Sequence, residues 1–254
     1  GLDCWDYHWP TQPPLIVLDT RTKRWRSERS RHQPSGLMDW EHISELQQQL
    51  LDSEAVLLVS PTPVFGVKLI ESIQQVFIWF RRALVVDAEN WMAHPGAAYG
   101  LLNVFRHKRT PKQFVLLSGD VHYSFVYRIL HRDRDDGPEI WQLTSSGVKN
   151  EFPEQLLRCL DLGNQWLFGR WSPLNWFTKR KEMRVQTAQV RACTDLAGAN
   201  LHMPKPCKPS ERLANRAGIG LVELDRSGRP TRVVQLSLYG DVEFTLDQFD
   251  AHDP

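Results

Sequence analysis

An aspartate and a histidine two residues apart, Asp120 and His122, lie in the stretch FVLLSGDVHYSFVYRIL at 114–130. An apolar run, Phe114–Leu117, stops at Ser118-Gly119, and a second run that alternates apolar and polar follows the pair. A carboxylate and an imidazole are both metal donors. On an extended turn, residues two apart can project to the same side, each toward a different ion of a close pair. Two metals about 3.5–4 Å apart are a common device for phosphate-ester hydrolysis, because they activate a water and stabilise the oxygens of the displacement. The loop after a buried strand is also where α/β folds carry their chemistry. Two such residues are equally what an ordinary polar turn contains, and by themselves they leave both readings open.

Other side chains are candidates by position. Arg21 leaves an apolar run, and a guanidinium there could grip a phosphate with paired hydrogen bonds or sit in a solvated basic loop. Asp87 and Trp91 lie between two helical stretches, where Asp87 suits a helix N-cap. Ser145, Ser146 and Lys149 follow the strand-like run at 139–144 and could line a cleft. His94, before Pro95 and Gly96, reads as a loop residue. No Gly-x-Ser-x-Gly elbow supports serine-hydrolase chemistry, and no Gly-rich phosphate loop precedes a helix.

Elements able to hold these residues are visible in the pattern. PLIVLDTR at 14–21 and EAVLLVS at 54–60 read as buried strands, the first with a polar exit at Asp19, Thr20 and Arg21. Residues 35–53 place Leu37, Trp40, Ile43, Leu46, Leu50 and Leu51 at helical spacing. Residues 65–84 form the most hydrophobic helical stretch, too often interrupted by charge for a membrane span and suited to the core or a membrane surface. A helix is expected at 96–107, strands at 114–118, 124–131 and 139–144, and a hairpin at 218–240. Residues 160–210 carry no clear period.

Composition narrows the class. The 254 residues are 41% hydrophobic and 24% charged, as in an ordinary globular chain. A net charge of +1 argues against a generic nucleic-acid binder, and the basic clusters at 21–31 and 179–184 read as solvated loops. The ten tryptophans serve either as core and cleft walls or as a stacking platform. Cys4, Cys159, Cys193 and Cys207 are scattered, without zinc-type spacing or the density of a disulfide framework, which points to a reducing, cytoplasmic setting. The start, GLDCWDYHWP, has no leader pattern and is expected to lie inside a longer protein.

Several segments together resemble the PhoD-like (alkaline phosphatase D) branch of the calcineurin-like metallophosphoesterases. They are LIVLDTRTKRW (15–25), ELQQQLLDSEAVLLVSPTPVFG (45–66), DAENWMAHPGAAYGLLNVF (87–105), FVLLSGDVHYSFV (114–126) and WQLTSSGVKNEFP (141–153). They span roughly 14–150 in the family's order. LSGDVHYS is the most specific piece: its slot holds a Gly-His-x-His type motif in the wider superfamily, and this branch has Asp in the first ligand place, as Asp120, and His in the second, as His122.

The resemblance implies an α/β fold: a four-layer sandwich of two mixed sheets flanked by helices, its N-terminal part missing. One catalytic domain would cover 1–254, with a family-like core at about 14–150 and C-terminal strands and a hairpin at 218–246. It implies a phosphomonoesterase or phosphodiesterase, Asp120 and His122 as ligands of two metal ions (iron and calcium by family analogy), and Arg21 and Asp87 as substrate contacts, to which Ser146 is added by its place after the strand at 139–144. The partner would be a phosphoester, with no nucleic acid and no membrane span, and export is possible by the same analogy. The family's other ligands lie upstream, so this chain is expected to be inactive alone. Residues 59–63, VSPTP, depart from the pattern: many relatives place a metal-binding His there, and Ser60 and Thr62 are weaker ligands. The alternative is a non-catalytic binding or scaffolding module that retains the fold.

Overall fold

The computed structural model describes residues 5–25, 36–72, 91–132, 137–149, 151–168, 172, 183–194, 211–238 and 240–251. The strands are β1 (Tyr7–Trp9), β2 (Leu15–Val17), β3 (Ala55–Ser60), β4 (Gln113–Ser118), β5 (Phe125–His131), β6 (Glu139–Thr144), β7 (Met183–Thr194), β8 (Ile219–Leu224), β9 (Pro230–Leu236) and β10 (Asp241–Ala251). The longer helices are α1 (Trp40–Gln49), α2 (Pro95–Arg106) and α3 (Glu154–Leu167). The protein is therefore α/β with a mixed sheet.

The strands form one ladder in the order β1-β2-β3-β4-β6-β5-β7-β10-β9-β8. β2, β3, β4 and β6 run parallel, and the remaining pairs are antiparallel. Parallel neighbours need long crossovers, and α1 and α2 occupy the connections from β2 to β3 and from β3 to β4.

Alternation along the strands gives each face its own core. Val56, Leu58, Phe114, Leu116 and Ile140 face α1 and α2, meeting Ile43, Leu46, Leu101, Val104 and Phe105. Val115, Val126, Trp141 and Leu143 point the other way and pack on Ala188, Val190, Val233, Val242 and Phe244. The second half of the ladder thus folds back over the first. The β8–β9 turn touches the start of β3, since a Cβ on Gly228 would lie 2.7 Å from Pro13 and 2.9 Å from Ala55. Gly228 also has φ +83°, a conformation that glycine adopts without strain. Arg229 beside it reaches Glu139 at 3.7 Å and lies over the Trp141 ring at 5.8 Å.

Several expectations change in detail. The first strand is short, and α1 begins only after Asp39, whose carboxylate caps it by accepting from the His42 amide at 2.9 Å. Trp40 opens the helix and is 70% exposed, so it does not join the apolar face; Leu37 and Met38 enter the core from the preceding loop instead. Of the stretch at 65–84, residues 68–72 are helical and 73–84 lie outside the described residues. No helix among the described residues is long and apolar enough to cross a membrane. The segment without a clear period holds the end of α3 and all of β7.

Candidate functional site

The parallel strands end level with one another. Ser60, Ser118 and Thr144 are register partners across β3, β4 and β6, so the loops that follow start side by side at the carboxyl edge of the sheet. The Ser118 and Thr144 hydroxyls share a hydrogen bond of 2.8 Å. The Gly119 amide donates to the Pro61 carbonyl at 3.3 Å, and the Ser145 amide donates to the Ser118 carbonyl at 3.0 Å.

On this edge the Asp-x-His turn is fixed by its backbone. Asp120 has φ 67°, in the left-handed region that aspartate tolerates better than most residues. The Val121 amide bonds back to the Gly119 carbonyl at 2.9 Å, tightening the reversal. The His122 carbonyl accepts from the Phe152 amide at 3.2 Å, and Ser124 exchanges two 2.8 Å backbone bonds with Ala214. Asp120 and His122 themselves are exposed. The described residues contain no group of three His, Cys, Asp or Glu side chains able to hold a metal ion.

Arg21 is exposed and follows β2, which lies two strands from β4, the strand that Asp120 follows. Its amide donates to Asp19 at 2.9 Å. Asp19 is buried and also accepts from the amides of Thr22 at 2.8 Å and Trp5 at 3.0 Å and from the Thr22 hydroxyl. Burial pushes its carboxyl up, but these hydrogen bonds outweigh it and hold the pKa at about 2. Asp19 is thus an ionised anchor for the Arg21 turn, signalled in the sequence only as a polar strand exit.

Ser146 is buried, and its amide donates to the Ser124 hydroxyl at 2.8 Å. Ser145 donates to the Gln235 side-chain carbonyl at 2.8 Å, and Lys149 is exposed. Asp87 lies outside the described residues. Trp91 is fully buried and donates its indole N–H to Ser60 Oγ at 2.9 Å, while the Ser60 hydroxyl donates to the Thr62 carbonyl at 2.7 Å. Trp91 and Ser60 therefore pin the loop after β3. His94 caps α2, its ring nitrogen accepting from the Ala97 amide at 3.1 Å, and its ring packs 4.2 Å from Trp25. Burial lowers its pKa, which favours the neutral acceptor form.

Two positioning residues escaped the sequence reading. Gln142, fully buried mid-strand, accepts from the Phe65 amide at 2.8 Å and donates to the Phe65 carbonyl at 2.7 Å. A glutamine inside IWQLT was the available signal, since a buried amide needs partners. Asn215 does the same for Phe152, accepting at 2.9 Å and donating at 2.7 Å, and no local pattern marks it. Tyr123, next to His122, is buried, and desolvation, aided by Tyr127 and Glu71, raises its phenol far above the ordinary range.

No family model matches the chain, and no curated protein matches it. Among solved structures, one described as the structure of PhoD aligns over 96% of this chain with a TM-score of 0.41 and 14% sequence identity. The alignment covers 44% of that chain, so the present chain spans less than half the length of the structure it matches.

Proposed function

We propose that the chain is the C-terminal part of a metal-dependent phosphoric ester hydrolase, with Asp120 and His122 as metal donors. The observation that carries this reading is the Asp-x-His turn itself: two exposed donors at the carboxyl end of a central parallel strand, on a backbone tied to the neighbouring loops. Arg21, on the same edge, is the candidate phosphate contact, and Asp87 and Ser146 complete the proposed substrate residues. The described residues do not fit a binuclear centre by themselves. Ions such as iron and calcium take four or more donors, and this pair supplies two. The reading therefore requires ligands from outside the described residues. When bound, two such ions would supply charge stabilisation and an activated water.

A second reading, a non-catalytic module that keeps the fold, is favoured by one observation: no third His, Cys, Asp or Glu joins the pair among the described residues. The two are separated by assaying the intact protein on bis(p-nitrophenyl) phosphate with and without chelator. Chelator-sensitive hydrolysis supports the enzyme. Absence of turnover with iron, calcium or manganese supplied leaves the module.

A further inference from the structure

We infer that the space between the two strand layers, beside the Asp-x-His turn, binds a small apolar group, and that this group is the alkyl or aryl ester moiety of the phosphoester. The identity of the group rests on the function proposed above; the existence of the binding site does not.

The space is a cavity of about 140 Å³. Leu117, Val126 and Leu143 line it from one layer, and Val222, Val233 and Phe244 from the other. An enclosed apolar cavity of about 150 Å³ accepts a molecule the size of benzene, and this space, partly open to solvent, is of similar size. A strongly polar occupant would surrender its hydration to aliphatic walls. The polar side chains at the wall bond one another, Ser145 with Gln235 and Ser118 with Thr144, each at 2.8 Å.

Position ties the cavity to the turn. Ser118, Thr144 and Ser145, at and just after the ends of β4 and β6, belong to its lining, and Ser118 is two residues from Asp120. The Ser145 carbonyl lies 3.8 Å from where a Cβ on Gly119 would stand, so the wall of the cavity abuts the residue before Asp120. On the facing layer Gly220 keeps the approach to Ser145 close, since a Cβ there would meet the Ser145 Cβ at 3.1 Å. An ester group entering here leaves its phosphorus at the exposed edge where Asp120 and His122 stand.

Benzene binding to the 254-residue chain, read by ligand-observed NMR with glycerol as the polar control, tests the site. Saturable benzene binding without glycerol binding is expected. It should weaken at least about tenfold in Val222→Phe, which places a ring in the cavity. Val222→Leu, a smaller intrusion, replaces it if circular dichroism shows that Val222→Phe does not fold. No benzene binding, or unchanged binding in a folded filled variant, overturns the site. In the intact protein, Val222→Phe should raise KM for phenyl phosphate about tenfold and leave methyl phosphate unchanged, with phosphate release read for both. Equal KM changes for both esters overturn the assignment of the occupant. Turnover of neither ester by the unaltered protein overturns the phosphoesterase reading and the occupant with it, while benzene binding still decides the cavity.

Discussion

The amide of Phe152 donates to the carbonyl of His122 at 3.2 Å, and the same amide donates to Asn215 at 2.9 Å. Asn215 returns a bond to the Phe152 carbonyl at 2.7 Å. A residue 93 positions downstream in the chain therefore clamps the loop that holds the Asp-x-His turn. The turn's geometry is a property of the folded ladder, not of LSGDVHYS alone.

Asn215→Ala removes both side-chain partners of Phe152. The expected loss is about 1 kcal/mol, because the part-buried Phe152 carbonyl loses its donor while the Phe152 amide keeps the His122 carbonyl. Thermal unfolding should show a lower Tm, and hydrogen exchange should quicken at Phe152 while the amides of α1 stay protected. Equal protection at Phe152 in the variant would remove Asn215 from the account of the turn.

The left-handed conformation of Asp120 separates backbone from chemistry. Asp120→Ala keeps a Cβ where φ is 67° but loses the short polar side chain that eases this conformation, and should cost up to about 1 kcal/mol. Asp120→Gly removes the same carboxylate with no such strain and should be as stable as the parent chain or more so. Both should lose the proposed metal donor equally. Chemical denaturation that ranks the alanine variant above the glycine variant would contradict the turn geometry.

Much of this arrangement was legible because it depends on local pattern. The apolar runs of β3, β4, β5 and β6 are buried on at least one face throughout, and their periodicity is intact. β7 was not legible. Met183, Val185 and Thr187 are buried, and then the phase flips to Ala188 and Val190, at the point where pairing with β5 ends. α3 was hidden for another reason: Leu156, Leu162 and Trp166 are exposed, so no single apolar stripe emerges, and Pro153 gives no side-chain cap. Asp120 and His122 could be picked out by residue type. Asn215 and Gln142 act through contacts distant in sequence, which a one-dimensional pattern does not carry.

Asp19 gives a pH signature. Its folded-state pKa of about 2 lies below the ordinary value of 3.8, so ionised Asp19 stabilises the fold above pH 4. That contribution, about 2 kcal/mol, should fade as pH falls from about 4 to about 2. Asp19→Asn should be less stable than the parent chain at pH 7 and show a flatter stability profile across that window. Parallel profiles for the two proteins would contradict an ionised anchor beneath Arg21.

Ser60→Ala should leave the buried Trp91 indole N–H without its acceptor, lowering stability by about 1–3 kcal/mol. Ser60→Thr, which keeps an oxygen, should lose less. Near-ultraviolet circular dichroism, which reports the setting of buried indoles, should change with alanine. An unchanged spectrum and Tm would show that the pair does not pin the loop after β3.

The central claim is that Asp120 and His122 bind metal. Elemental analysis of the intact protein, alongside Asp120→Gly and His122→Ala purified in the same way, measures it directly. The account predicts bound metal in the parent protein, a loss of at least one equivalent in each variant, and a parallel fall in phosphodiester hydrolysis, all three proteins remaining folded. Full metal content and full activity in both variants would contradict it.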